Sequence, residues 1–343
     1  MKILSSDQIR KADAHTIKHE PVSSVDLMER ASMAFVKRLL LLRPNDTEYI
    51  IFTGPGNNGG DGLVIARLLS EKDKRVTLVN VEFTENYSSD YSVNRKRLKD
   101  TAVHFINISQ LEDIPVVEEK AVIIDAIFGS GLSRPVEGFP ASVINHINSL
   151  KNVVVSVDIP SGLFHDHNSE NPFTAVIEAE LTISFQIPKL CFLLPETAKY
   201  VGSWEIVNIG LDESFIHELK TSYYTLELAD IPKIDRDKFA HKGTFGHALL
   251  CAGSLGKMGA AILSSRACLR AGVGLLSTIV PSCGYEIIQE SVPEAMAIPM
   301  GENELAGTPE VSEKHNAIGV GPGIDTSEET AAFIEMLFRG SNC

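Results

Sequence analysis

Several things are scarce in this chain at once. In 343 residues there are one tryptophan, five cysteines and 7% aromatic side chains. Positive charge is short: 31 Lys and Arg stand against 45 Asp and Glu, giving a net charge of -14. No cluster of Lys and Arg is interleaved with aromatics, so nucleic acid is not among the expected partners. No apolar run reaches the ~20 residues that cross a bilayer, and Met1 to His15 lacks the apolar centre of a secretion signal. The expectation is a cytoplasmic protein without a membrane partner. The cysteines are Cys191, Cys251, Cys268, Cys283 and Cys343. None stands in C-x-x-C spacing, which argues against zinc or a redox pair, and most read as small hydrophobes in a reducing compartment. No low-complexity tract and no internal repeat is seen.

What is present is glycine in the right places. Tyr49-Ile50-Ile51-Phe52-Thr53 reads as a buried strand, and Leu63 to Leu69 as a helix. Between them stands Gly54-Pro55-Gly56-Asn57-Asn58-Gly59-Gly60-Asp61-Gly62. A glycine-rich turn from strand to helix brings backbone N–H groups and the positive end of a helix to one point, which suits an anion. The loop is neither G-x-G-x-x-G nor a P-loop, because a second Gly-Asp-Gly is added and no G-K-[ST] follows.

The rest of the first 215 residues alternates strand and helix. Ser5 and Gln8 fit a capping box ahead of an Ile9/Ala12/Ile17 stripe, and a second helix runs from about Val25 to Leu42, ending before Pro44. Strands are expected at 49–53, 76–81, 103–106, 121–125, 153–158, 181–185 and 204–208, with helices at 61–72, 88–100 and 140–149. That rhythm predicts a mainly parallel sheet covered on both faces, with ligands at the carboxyl ends of its strands. A boundary is expected near 212–238. A second α/β pattern follows: a strand from His247, a glycine loop Gly253 to Gly259, a helix Ala260 to Ala271, a strand Leu275 to Val280, and a strand Ala317 to Val320 closed by Gly321-Pro322-Gly323.

Four ordered motifs give the first part a specific likeness. They are the Gly54 loop, Asp125-Ala126-Ile127-Phe128-Gly129-Ser130-Gly131-Leu132-Ser133-Arg134, Val157-Asp158-Ile159-Pro160-Ser161-Gly162-Leu163, and Leu27-Met28-Glu29-Arg30-Ala31. Over roughly residues 1–215 the chain resembles the NAD(P)HX epimerase family, the YjeF N-terminal domain. The second pattern resembles the opening of the ADP/ATP-dependent NAD(P)HX dehydratase domain, a ribokinase-like fold. His241 to His247, the Gly256-Lys257-Met258-Gly259-Ala260-Ala261 loop and Gly321-Pro322-Gly323 carry that likeness. The implied fold is a Rossmann-like three-layer αβα sandwich over 1–215, a linker over 216–240, and a truncated ribokinase-like α/β domain over 241–343. The family's later motifs, a nucleotide-binding K-G segment and a G-T-G-D loop, do not follow Gly323 in the sequence. The expectation is therefore an incomplete dehydratase, with ADP or ATP relevant only to a complete one.

The candidate residues each carry two readings. Asn57, Asn58 and Asp61 either satisfy turn and cap backbone groups or serve a ligand. The resemblance implies that residues 57–61, including Gly59 and Gly60, contact substrate and that Asn58 also binds potassium. Asp125, at a strand end, is a helix cap or a ligand, and by resemblance it joins Asn58 and Ser161 around K+. These oxygens suit a hard cation. Gly129, Ser130, Gly131, Leu132, Ser133, Arg134 and Pro135 form either a plain turn or a phosphate cradle. Asp158, after a buried strand, is either a turn cap or the acid/base, its carboxyl brought toward a useful range by burial. By resemblance Ala260 and Gly323 would line the hydrated-nicotinamide pocket of the second domain. Lys189, after Ile187-Pro188, reads equally as reaching the same crevice or as a surface lysine, and stays outside the catalytic set. His165 and His167 read as a solvated loop. The resemblance implies an epimerase acting on NADHX or NADPHX, with a homo-oligomer left open. A non-catalytic binding module and a small-molecule kinase are the alternatives.

Overall fold

Runs such as Ile50-Ile51-Phe52 and Ile123-Ile124 are apolar at every position, so both faces of those strands need cover. In the computed structural model, which describes residues 1–232, 235–311 and 314–340, they form the middle of an all-parallel seven-stranded sheet. Cys343 lies outside the described residues. The chain divides into two compact units, Met1–Asp230 and the remainder from Ile231.

In chain order the first unit holds β1 (Lys2–Ile3), α1 (Ser6–His19), α2 (Ser24–Leu42), β2 (Glu48–Thr53), α3 (Asn57–Ser70), β3 (Arg75–Val81), α4 (Ser89–Arg97), β4 (His104–Ile108) and β5 (Val122–Ala126). It continues with α5 (Gly138–Ser149), β6 (Val154–Val157), β7 (Leu181–Phe185), α6 (Ala198–Val201), β8 (Ser203–Val207), α7 (Glu213–Glu218) and β9 (Tyr223–Tyr224). The sheet order is β4-β3-β2-β5-β6-β7-β8. The chain runs outward from β2 in one direction, then returns to β5 and runs the other way. Right-handed crossovers then place the helices of the two halves on opposite faces. Alternation within a strand serves both: Tyr49 and Ile51 pack with Phe35, Leu63 and Tyr91 from α2, α3 and α4, while Ile50 and Phe52 pack with Val143, Ile144 and Ile147 of α5.

The expected capping box of α1 is present: Gln8 N donates to Ser5 Oγ at 3.4 Å, and Ser5 N to Gln8 Oε1 at 3.0 Å. Two of the boundaries that differ from expectation shape the site. α3 begins at Asn57 rather than 61, because its glycines let the helix start against the sheet. β6 ends at Val157 because Asp158 turns into the left-handed region, φ 66°. Of the stretch read as a linker, residues up to 230 belong to the first unit. There β9 pairs antiparallel with β1, and Lys2 Nζ donates to Leu219 O at 2.6 Å.

The second unit holds β10 (His247–Cys251), α8 (Met258–Ala271), β11 (Leu275–Val280), α9 (Tyr285–Ser291), β12 (Met296–Pro299), β13 (Ala317–Val320) and α10 (Glu328–Gly340). Its four-stranded sheet is parallel throughout, in the order β12-β11-β10-β13. Among the described residues no helix is long and apolar enough to cross a membrane.

Candidate active site

The two glycine loops leave β2 and β5, the neighbouring strands where the order reverses, which is where open parallel sheets bind ligands. Gly54 N donates to Ala126 O at 3.2 Å, so the two exits are tied together. A Cβ on Gly54 would lie 2.1 Å from Ile127 O, and one on Gly59 would lie 1.8 Å from Gly54 O. Close backbone approach is what demands glycine there. α3 starts with Gly56 as its cap and no capping side chain. Its first intrahelical acceptor is met by Gly60 N, at 3.0 Å from Gly56 O. The N–H groups before it lack helical partners and stand at the positive end of the helix dipole.

Beside them opens a cavity of about 510 Å³. Of the expected residues, Asn57, Asn58, Asp61, Gly129, Ser130, Gly131, Leu132 and Asp158 line it. Gly59 and Gly60 do not: they are buried in α3, where Gly60 packs against Met28. Their part in the site is to let the helix in. Ser133, Arg134 and Pro135 fall outside the lining, and Arg134 is exposed. Ala260 and Gly323 belong to the second unit, where they are neighbours: a Cβ on Gly323 would come within 2.8 Å of Ala260 Cβ. A second groove of about 700 Å³ runs along α2 past Met33 and Leu40; Arg30, Lys37, Glu71 and Lys72 line it, and no residue of the two glycine loops does.

Asp125 and Ser161 are fully buried beneath the cavity. Ser161 Oγ donates to Asp125 Oδ1 at 2.5 Å, and Ser161 N and Ser156 Oγ both reach Oδ2 at 2.8 Å. Burial nevertheless outweighs these bonds and holds the Asp125 carboxyl above its ordinary range. Asn58 Nδ2 donates to Phe128 O at 2.8 Å, and Ser161 Oγ reaches the same oxygen at 3.3 Å. An amide, a hydroxyl, a carboxyl and a backbone carbonyl thus gather around Phe128. Their chemistry fits a hard monovalent cation.

Asp158 lies in the cavity wall with all its protein donors on one oxygen. Lys189 Nζ at 2.6 Å, Ser184 Oγ at 3.2 Å and Phe185 N at 3.3 Å all reach Oδ1. Oδ2 accepts none among the described residues. Asp158 at φ 66° and Gln186 at φ 62° both hold left-handed conformations unusual for their types. Such strain collects at functional sites. Gln186 Oε1 in turn accepts Ile209 N at 3.0 Å and fixes a segment that also lines the cavity.

Of the two readings of Lys189, the structure selects the crevice. It is no surface lysine: it is 3% exposed and ion-paired to Asp158. β7 leaves the sheet beside β6, and this pairing brings residue 189 back to 158. His165 corrects the sequence reading. It is buried, with Nε2 3.1 Å from Leu4 O, and burial followed by the Lys189 charge lowers its basicity. His167 is exposed. Asp61 was read as a substrate contact. Burial and then the Asp158 charge raise its carboxyl well above the usual range, against a Ser32 hydrogen bond. Asp13 of α1, absent from the sequence candidates, also lines the cavity. Its signal was an acid placed on the apolar Ile9/Ala12/Ile17 stripe.

Residues 24–191 match the family model described as YjeF-related protein N-terminus, and residues 248–341 match that of NAD(P)H-hydrate dehydratase. The chain is 34% identical over 202 residues to the NAD(P)H-hydrate epimerase of Limosilactobacillus fermentum, covering 58% of this chain and 92% of that one. It is 31% identical over 346 residues to the bifunctional NAD(P)H-hydrate repair enzyme of Coxiella burnetii, covering 97% and 67%. Against the bifunctional repair enzyme of Thermofilum pendens it is 30% identical over 350 residues, spanning 99% of this chain and 66% of that relative's length. The crystal structure of the yeast protein YNL200c shares the fold, with a TM-score of 0.55 at 19% identity, covering 67% of this chain and 98% of that one. With its Rossmann-like first unit and its two matched segments, the chain belongs to the family of NAD(P)H-hydrate epimerases and bifunctional NAD(P)H-hydrate repair enzymes.

Proposed function

We propose that the first unit is an NAD(P)H-hydrate epimerase, which interconverts the R and S forms of NADHX and NADPHX at C6 of the hydrated nicotinamide ring. The observation that carries this reading is Asp158: one oxygen tethered by Lys189, the other without a donor among the described residues, in the wall of a cavity flanked by a helix N-terminus. C6 bears both a hydroxyl and the ring nitrogen, so it is a hemiaminal carbon. It inverts by breaking one bond and remaking it on the other face, and this needs a proton acceptor at the hydroxyl. Asp158 Oδ2 takes that role. The α3 N-terminus and the Gly129–Leu132 loop receive the anionic pyrophosphate and ribose and so orient the ring.

Asn58, Asp125 and Ser161, with the Phe128 carbonyl, would hold a potassium ion. A cation held by them would supply positive charge near the pyrophosphate. The second unit carries Ala260 and Gly323, but the 343 residues contain no G-T-G-D loop. Dehydration of S-NAD(P)HX with ADP or ATP is not expected of them. A cytoplasmic location goes with this reading. The test is to give the purified chain one pure epimer and follow the R/S ratio. Equilibration supports the assignment, and a ratio no different from the uncatalysed drift refutes it.

A further inference from the structure

α1 precedes the stretch matched by the family model, yet it contributes Ile9, Arg10 and Asp13 to the cavity wall. The helix is firmly seated. Ala12 and Thr16 are fully buried, Asp212 N donates to Thr16 Oγ1 at 3.0 Å, and the His15 ring stacks on Phe215 at 4.1 Å. Asp13 is therefore held in place, but its carboxyl has no hydrogen bond or ion pair with any described residue. The other ionisable groups of the wall are occupied. Arg10 pairs with Asp7 at 3.2 Å, Asp61 accepts from Ser32 at 3.4 Å, and Asp158 pairs with Lys189.

We propose that Asp13 is a second catalytic residue of the epimerase site, an acid serving the ring nitrogen while Asp158 serves the hydroxyl. This rests on the epimerase reading above. Asp158 has Lys189 Nζ at 2.6 Å from one carboxyl oxygen and the other oxygen turned to the cavity, the arrangement of a proton acceptor. Asp13 has no cation of its own and can enter as the acid. Two carboxyls in unlike surroundings, one ion-paired and one without a cation among the described residues, divide as base and acid. In the forward step Asp158 takes the hydroxyl proton, the O–H electron pair forms C6=O, and the C6–N1 bond breaks. Its electron pair goes to N1, which takes the Asp13 proton. Rotation about C5–C6 presents the other face of the carbonyl. N1 then attacks C6, returns its proton to Asp13, and Asp158 returns its own to the oxygen. Nothing is consumed.

Burial, with the Asp158 charge adding and Lys189 opposing, pushes the Asp13 carboxyl up to about 6. The charges facing it are Asp158 and Lys189 from the β6 and β7 exits, Asp61 from α3, and Arg10 on its own helix. Since the protonated form is required, the wild-type kcat should fall as pH rises through about 6. The experiment uses the full chain and pure R-NADHX, with kcat and KM read across pH for wild type, Asp13→Asn and Asp13→Glu. Asp13→Asn should lose about 10²–10⁴ in kcat, with KM little changed and the falling limb gone. Asp13→Glu should restore part of the rate and keep the limb. If Asp13→Asn does not fold, the other two profiles decide: a limb in both supports the proposal, and a flat wild-type profile overturns it. An active wild type with an indifferent Asp13→Asn overturns this proposal alone. A wild type that does not interconvert the epimers overturns the epimerase reading and this proposal with it.

Discussion

The two units repeat one local theme and use it differently. Each sends an apolar strand into a glycine turn and then a 14-residue helix: β2 to α3 in the first, β10 to α8 in the second. Each turn stands where the strand order reverses, between β2 and β5 or between β10 and β13. In the first unit the reversal point buries charge: Asp125 and Lys189 are enclosed, and Asp158 is nearly so. In the second, the ionic pair at the same place, Lys257–Asp325 at 3.4 Å, is about half exposed on both sides. The buried polar residues there are hydroxyls, such as Ser254, Ser265 and Thr278. A glycine turn marks where a ligand can approach a sheet. Buried, mutually tuned charges mark where protons can be moved.

The sharpest way to break this contrast is to remove the central carboxylate. Asp158→Asn should cost about 10²–10⁴ in the rate of R/S interconversion while substrate still binds. Steady-state kinetics on each epimer reads this, and a wild-type rate would end the assignment. Lys189→Met attacks the same pair from the other side. It strands a carboxylate in a site that is 14% exposed, and breaking a buried pair costs about 3–5 kcal/mol, so thermal melting should drop by many degrees. A variant as stable as wild type would mean the pair contributes nothing.

Why the sequence leaves Lys189 undecided and Asp13 unmarked is physical. Strand identity is a local property: Tyr49 to Phe52 and Val122 to Ile124 are apolar at every position, so their burial could be read directly. The Ser5–Gln8 box likewise needs only three residues of separation. Lys189 acquires its role only through the β6–β7 pairing, 31 residues from its partner Asp158. The start of α3 at Asn57 depends on how closely β2 and β5 approach, which a helix pattern cannot express. β12 was invisible because Met296-Ala297-Ile298-Pro299 is an edge strand with no buried face to impose alternation.

The glycines offer a finer comparison. Gly59→Ala would place a Cβ 1.8 Å from Gly54 O and should destabilise by about 1–3 kcal/mol, as overpacking does. Gly259, early in α8, has nothing within 4 Å of the equivalent position. Gly259→Ala should be neutral or stabilise by up to about 0.5 kcal/mol. Chemical denaturation of both variants tests the pair, and equal losses would contradict the packing account.

The second unit also exposes more of its frame. β12 and β13 are largely open to solvent, and Leu255, Leu263 and Phe338 are exposed. Limited proteolysis should remove it first and leave an active first unit. A smaller effect is expected from the cation. Replacing potassium with a bulky organic cation should weaken activity or substrate binding, and indifference would remove Asn58, Asp125 and Ser161 from that role.

The most direct test of the division of labour is a single chromatographic time course. Pure R-NADHX is incubated with the 343-residue chain and ATP, and R-NADHX, S-NADHX and NADH are resolved together. S-NADHX should appear faster than in the uncatalysed control while no NADH accumulates. Enzyme-dependent NADH, or no enzyme-dependent S-NADHX, would contradict this division of labour.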